Sequence, residues 1–237
     1  MGHLILNKGL LILVLSLVVL GGLEAQSGYS YQYYSGGVIR SEGALENGLE
    51  EGEWRYYYPG GKLNAVFTFV HGKQEGETKH YYPNGNNKSI EIFKSDKLEG
   101  LSTHFYENGQ IKKSGIYLAD QYSDIWEYYY DNTQLKRKGS YRYGLLHGQW
   151  NVYYESGELD YKVHYLNGKK NGLYIRYYDN GEKLEEGGYI EDVKSGEWVF
   201  YYLNGEKQEE GEYKHNVKVG KWTEYNKSGR EKGTTKY

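Results

Sequence analysis

Short aromatic-rich stretches alternate with turn-forming residues along nearly all of the chain beyond residue 27. The pattern returns every 24 residues without an insertion and gives nine units, which begin at residues 28, 52, 76, 100, 124, 148, 172, 196 and 220. Each unit begins with Gly except the fifth, which begins with Asp124. With that first residue as position 1, position 6 is aromatic in all nine units and position 7 is Tyr in eight. Chance does not hold such a register over nine copies, so the repeat decides the fold.

Two turn signals divide each unit into two strands. The first lies at positions 9 and 10, as in Asn84-Gly85, and the second at positions 20 and 21, as in Asn47-Gly48. Asn-Gly favours a type I′ hairpin turn because both residues accept positive φ, and we expect that turn at positions 9 and 10. The segments between turns are rich in Tyr, Trp, Phe and Ile, which suit strands. The sequence therefore predicts an all-β, elongated repeat solenoid. It would be a single curved antiparallel sheet of about nine consecutive β-hairpins, open or coiled on itself.

Side chains alternate between the two faces of a strand, which assigns the repeated residues to faces. On one face we expect Trp at position 3 to cover Gly at position 16, and Tyr at position 18 to cover Gly at position 1, because an aromatic ring over a cross-strand glycine stabilises a weak strand site. Examples are Trp198–Gly211, Trp126–Gly139 and Gly196–Tyr213. The residues given this structural role are Trp54, Trp126, Trp150, Trp198 and Trp222, with Gly52, Gly76, Gly100, Gly148, Gly172, Gly196 and Gly220. The same face is expected to hold the position-12 residues Ile39, Leu63, Ile111, Leu135 and Leu159.

A ladder of position-6 aromatic rings is expected on the opposite face, between polar rows. Its candidate ligand- or partner-binding residues are Tyr81, Phe105, Tyr129, Tyr153, Tyr177 and Tyr201. Cross-strand packing alone accounts for such a ladder, at about 0.2–1 kcal/mol per pair. A binding surface is the second interpretation, since Tyr offers a large contact area at low entropy cost. Both interpretations stay open.

The first 25 residues have a different composition from the repeats. Residues 9–20 form an uncharged apolar run preceded by Lys8, and Ala25 precedes Gln26. This three-part form is typical of a secretory signal peptide. We therefore predict a hydrophobic signal helix within residues 1–25 and a mature repeat domain over residues 26–237. The run is short for a membrane span, which needs about 20 residues. We expect export to the periplasm, the cell surface or the medium, with anchoring by an uncleaved signal as the alternative.

Composition excludes several classes of function. Basic and acidic residues number 29 and 32, and the net charge of −3 argues against a binder of nucleic acid. The chain has no Cys, so disulfides, thiolate metal sites, a thiol nucleophile and a lipid-bearing cysteine are excluded. His80 and His104 share position 5 of adjacent units. They are expected to lie two strands apart, about 9–10 Å, which is too far to share one metal ion. We predict no catalytic residues, no metal site and no cofactor.

The stretch from Gly211 to Trp222 resembles a MORN repeat, whose form is roughly G-x-Y-x-x-G-x-x-x-G-x-G. The Tyr-Tyr-x-x-Gly of Tyr201 to Gly205 resembles more closely the variant MORN repeats of bacterial YwqK-type antitoxin-like proteins. The resemblance covers residues 28–237 and departs from the ordinary form by placing Trp222 where a glycine is expected. It implies a row of β-hairpins in an elongated, curved sheet that binds partners, and it implies no catalytic residues.

These features together predict a non-enzymatic, exported repeat scaffold that mediates protein–protein interaction at the bacterial cell envelope. One alternative is a glycan- or cell-wall-binding module that uses the Tyr and Trp rings. Trp-x-x-Tyr-Tyr-x-x-Gly also resembles the choline- and glucan-binding repeats of surface proteins. The second alternative, by family analogy, is an antitoxin- or immunity-like protein. The expected partner is a protein, with a glycan as the second candidate. We expect no nucleic acid and no stable membrane span after signal cleavage.

Overall fold

The computed structural model describes residues 27–237. The predicted signal peptide lies outside the described residues and stays a prediction. The described part is one open antiparallel sheet of 20 strands joined as consecutive hairpins, which confirms the all-β repeat fold. Within residues 27–237 no helix is long and apolar enough to cross a membrane.

The nine units supply the strands in chain order. They are β1 (Gly28–Tyr33), β2 (Ile39–Glu46), β3 (Leu49–Tyr57), β4 (Leu63–Val70), β5 (Lys73–Gln74), β6 (Gly76–Tyr81), β7 (Asn87–Lys94), β8 (Lys97–Leu98), β9 (Gly100–Phe105), β10 (Ile111–Leu118), β11 (Gln121–Tyr129), β12 (Leu135–Arg142), β13 (Leu145–Tyr153), β14 (Leu159–Leu166), β15 (Lys169–Tyr177), β16 (Lys183–Ile190), β17 (Val193–Tyr201), β18 (Lys207–Lys214), β19 (Val217–Tyr225) and β20 (Glu231–Lys236). Breaks at Glu75 and Glu99 separate β5 from β6 and β8 from β9.

The two turns of a unit differ in type, and the predicted assignment was wrong. At positions 20 and 21 both residues have positive φ, for example 52° at Asn47 and 80° at Gly48, so the type I′ turn lies there. At the first turn the Gly85 amide donates to the Tyr82 carbonyl at 2.9 Å, and the Tyr82 amide donates to the Asn86 carbonyl at 2.8 Å. This is a three-residue loop in which Gly85 has a φ of 91°, the pattern of a type I turn followed by a glycine bulge.

The extra residue of the first turn changes the face of position 12. Tyr57 pairs with Leu63, and Phe105 pairs with Ile111, so position 12 lies opposite position 6 rather than position 7. The prediction that Ile39, Leu63, Ile111, Leu135 and Leu159 share a face with Trp was therefore wrong. These side chains lie beside the position-6 rings.

A second bulge explains the Gly at position 1. Gly187 pairs with Trp198 and Gly188 pairs with Ser195, which leaves Gly196 and Glu197 as extra residues on β17. Gly196 has a φ of 73°, and a Cβ placed on it would meet no atom within 4 Å. Gly196 does pair with Tyr213, but the prediction that the Tyr ring covers this glycine was wrong. The left-handed backbone, not packing, requires Gly.

The second bulge keeps the side-chain rows straight across the sheet. Two-residue turns at positions 9–10 and 20–21 alone would place position 16 opposite position 1 of the next unit. Each row would then shift by about two residues per unit. The bulge restores position 16 to position 3 of the next unit, as in Gly187 with Trp198. Equivalent residues of successive units therefore stack in register.

The tryptophans form the core, which lies on one face of the sheet. All five are at most 2% exposed. Trp198 pairs with Gly211 in the backbone as predicted, but its ring lies over Gly187 of the preceding unit, which corrects the predicted Trp198–Gly211 and Trp126–Gly139 ring contacts. A Cβ placed on each covered glycine would lie 2.2–2.3 Å from the indole. The covered pairs are Gly43–Trp54, Gly115–Trp126, Gly139–Trp150, Gly187–Trp198 and Gly211–Trp222. We call this surface the indole face.

The size of the residue at position 16 is correlated with the residue at position 3 of the next unit at all eight boundaries between units. Where position 16 is Gly, position 3 is Trp. Where position 16 is larger, position 3 is not Trp; these pairs are Phe67 with Thr78, Glu91 with Ser102, and Val163 with Tyr174. An indole and a side chain cannot occupy the same space, so the two positions are chosen together.

Eight hydrogen bonds from position-7 tyrosines join each unit to the next. In each bond the hydroxyl donates to the position-6 carbonyl of the following unit, at 2.7–2.9 Å. Tyr154 to the carbonyl of Tyr177, at 2.8 Å, is one example. These bonds satisfy carbonyls at the turn end of the sheet and explain why position 7 is Tyr.

Candidate functional site

The predicted ladder residues Tyr81, Phe105, Tyr129, Tyr153, Tyr177 and Tyr201 all lie half-buried on the face opposite the tryptophans, which we call the ladder face. Some tyrosines of this row already donate hydrogen bonds to carboxylates of the same sheet. The Tyr129 hydroxyl donates to Glu127 at 2.7 Å, and Tyr201 donates to Glu186. Burial, followed by the bond to Glu127, raises the pKa of Tyr129 to about 12. Tyr129 and Tyr201 therefore also hold the sheet together through these bonds.

Ion pairs flank the ladder over most of its length. On the ladder face Arg55 pairs with Glu53 at 2.6 Å, Lys183 with Glu186 at 2.7 Å and Lys207 with Glu210 at 2.6 Å. These pairs are partly exposed, so each contributes little to stability. They make most of the ladder face a solvated, polar surface.

Uncharged residues replace the ion pairs in the middle of the ladder face. We define the aliphatic patch as Ile90, Ile92, Leu101, Phe105, Ile111, Ile116 and Ile125. Leu101 pairs directly with Ile116, and Phe105 with Ile111. Leu101, Ile111 and Ile125 are 56%, 43% and 52% exposed. The patch thus forms two apolar rows on β7, β9, β10 and the start of β11, with Thr103 and Ser114 between them, and sequence reasoning missed it.

On the indole face, β6, β7 and β9 carry polar residues. Thr78 and Ser102 stand where other units have Trp, and both are at most 1% exposed. Nε2 of His80 lies 3.9 Å and Nε2 of His104 lies 3.5 Å from oxygens of Glu91, on the strand between them. The two imidazoles therefore flank one carboxylate.

Burial, assisted by Lys113, lowers the pKa of His104 to about 4. Burial also lowers the pKa of His80, so both imidazoles are neutral at pH 7. Within residues 27–237 no group of three His, Asp or Glu side chains is arranged to hold a metal ion.

The polarity of the two faces therefore differs over β6, β7 and β9. Here hydroxyls, imidazoles and Glu91 stand on the indole face in place of indoles, and the aliphatic patch lies on the ladder face of the neighbouring strands. A sheet stabilises itself by burying its apolar side against another surface. Contiguous exposed apolar surface on a soluble protein marks interaction sites. We take the aliphatic patch, with the ladder rings beside it, as the candidate functional site.

Comparison with known proteins supports the repeat assignment. Five segments match the family described as the MORN repeat variant, at residues 50–71, 74–95, 98–119, 146–167 and 194–215. Each match runs from just after one type I′ turn into the next, so the family unit coincides with the structural one. No curated protein matches the chain.

The solved structures that match this chain are much larger than it. A crystal structure of TcdB2-TccC3-Cdc42 matches at 10% identity with a TM-score of 0.18 and covers 84% of this chain. The pore form of the Photorhabdus luminescens Tc holotoxin, with a mutation in TccC3, matches at 10% identity with a TM-score of 0.19 and covers 83%. This chain spans 14% of the length of each.

Proposed function

Since the chain carries repeats of the MORN variant at five of its nine units, we propose that it is a non-enzymatic scaffold of the cell envelope that binds protein through the ladder face. The observation that carries this proposal is the aliphatic patch, because Leu101 and Ile125 are 56% and 52% exposed beside the isoleucines of β7 and β10. Export is proposed from the apolar run at residues 9–20 and the residues around it.

A protein partner fits this surface better than a glycan does. Glycans are bound by aromatic rings together with polar groups that pair with hydroxyls. In the patch, β9 and β10 instead present Leu101, Ile111 and Ile116, and the hydroxyls of Thr103 and Ser114 between them are hydrogen-bonded to each other at 3.1 Å. Aliphatic surface of this kind is buried by another protein through the hydrophobic effect. The half-buried ladder rings would extend that contact on one side.

Site-specific photo-crosslinking in the native host tests the proposal. A photoreactive residue at Leu101 should give a discrete adduct with protein, identified by mass spectrometry. The matched control is Gln149, which holds the same position of a unit outside the patch. Equal adducts at both positions, or none at Leu101, would show that the patch is not a binding surface. Fractionation of the same cells and sequencing of the mature amino terminus test the envelope location.

A further inference from the structure

We propose that the aliphatic patch binds a second copy of this chain, so that two sheets pack face to face around β9. This inference names the partner of the surface in the proposed function and rests on it. On the ladder face, the side chains of β6, β7, β9, β10 and β11 form three rows across the strands.

The rows are fixed by the strand register. Lys79 pairs with Ile90, Ile90 with Thr103, Thr103 with Ser114, and Ser114 with Glu127, which makes the middle row. One outer row runs Glu77, Ile92, Leu101, Ile116 and Ile125, and the other runs Tyr81, Asn87, Phe105, Ile111 and Tyr129. In each row the residue from β9 stands at the centre.

A two-fold axis parallel to β9 brings complementary groups together. Such an axis keeps each row in place and reverses the order of the strands. Lys79 of one copy then lies over Glu127 of the second copy, and the same contact forms again by symmetry. In one outer row, aliphatic residues of the two copies face each other, with Leu101 over Leu101 and Ile92 over Ile116. Sheets pack face to face in this aligned way at about 10 Å, with interdigitating side chains.

Charge distribution favours a second copy over an unrelated charged partner. Lys79 lies 2.7 Å from Glu77, and Glu127 lies 2.7 Å from Lys138, so each rim of the patch carries both signs. In the middle row, however, Lys79 stands at the β6 end and Glu127 at the β11 end, so that row is self-complementary under a two-fold axis. Because each rim of the patch carries both signs, the patch has no net charge that would attract an acidic or a basic ligand.

Sedimentation equilibrium of the purified full chain is the first test. We expect the mass to rise towards that of a dimer and no further between about 1 and about 200 µM. Leu101→Lys places two ammonium groups at the axis and should weaken association at least tenfold. The matched control, Leu173→Lys, holds the same position in another unit at 57% exposure and should leave association unchanged. Both sites are exposed, so folding is checked for each by circular dichroism. A chain that stays monomeric, or a dimer that tolerates Leu101→Lys, overturns the proposal.

A charge exchange tests the register of the two sheets. Lys79→Glu alone and Glu127→Lys alone each place like charges together and should weaken the dimer. An equimolar mixture of the two variants restores opposite charges at both contacts, so it should form the mixed dimer. A mixture that stays monomeric contradicts the two-fold arrangement. A monomeric wild-type chain whose Leu101 still cross-links to a different protein would end this inference and leave the proposed function standing.

Discussion

Exchanging one glycine–tryptophan pair for the valine–tyrosine pair found elsewhere in the chain tests how the core is built. The perturbation is Gly187→Val with Trp198→Tyr, made singly and together. Val163 and Tyr174 supply the natural example, and both are buried, at 1% and 7% exposure. The double exchange thus places a valine–tyrosine pair, which the same sheet already accommodates at Val163 and Tyr174, at the site of Gly187 and Trp198.

The structure sets the size of each effect. A Cβ at Gly187 would lie 2.2 Å from Cδ2 of Trp198, a contact that forces the ring or the backbone to move. Overpacking costs about 1–3 kcal/mol, and valine should reach or exceed the upper end. Trp198→Tyr removes part of a fully buried indole, which also donates from Nε1 to the Gly188 carbonyl at 3.2 Å. We expect that single change to cost about 2–4 kcal/mol.

Urea unfolding followed by circular dichroism measures the free energy of unfolding for all four chains. The double variant should cost about 2 kcal/mol or less, well below the sum of the two single changes, because the new side chain fills the space that the indole leaves. The reverse exchange, Val163→Gly with Tyr174→Trp, is the matched control and should be close to neutral. Additive costs in the double variant would refute the packing rule. The urea slope must stay constant across the set, since repeat proteins can unfold in parts.

Two further predictions concern the bonds between units and the buried imidazoles. Tyr154→Phe removes the hydroxyl that donates to the Tyr177 carbonyl and should cost about 1 kcal/mol in urea unfolding, whereas Tyr143→Phe, at 75% exposure, should cost nothing measurable. His104 has its pKa lowered from 6.5 to about 4, so the unfolded chain binds the proton more readily. Stability should therefore be full above about pH 6.5 and fall by at most about 3 kcal/mol as the pH drops towards 4. His104→Phe should reduce this dependence of stability on pH, whereas His215→Asn, in a turn, should leave it unchanged. An unchanged pH dependence in His104→Phe would contradict the lowered pKa of His104.

The repeat period predicts the architecture but not the turns. Both turns of a unit carry Asn-Gly or close variants, and the dipeptide alone does not reveal whether the loop has two residues or three. The Tyr82–Gly85 bond shows three at the first turn. A signal was present in the sequence: Gly at position 1 returns in eight units, although no ring covers it. A glycine without a packing role indicates a left-handed backbone, and hence a bulge.

The candidate site escaped sequence reasoning because it depends on those bulges. Face assignment by simple alternation fails where a strand gains one residue, as β10 does between Ile111 and Lys113. Ile111 was placed on the wrong face for this reason, although it pairs with Phe105. The ladder row could be predicted because position 6 is aromatic in every unit. The aliphatic patch could not, because it is defined by departures from the repeat over a few strands.

Those departures come in compensating pairs, which argues that they are not drift. Loss of Trp at Thr78 and Ser102 removes the usual apolar core from the indole face at two successive units. A single-layer sheet without a hydrophobic side would be weak there, since hydrogen bonds alone add little net stability. The strands regain apolar side chains at Leu101 and Ile116, but on the side that bears ion pairs elsewhere. Apolar side chains on the ladder face stabilise the sheet only when another surface covers them. The residues that keep these strands apolar therefore also favour binding of a partner.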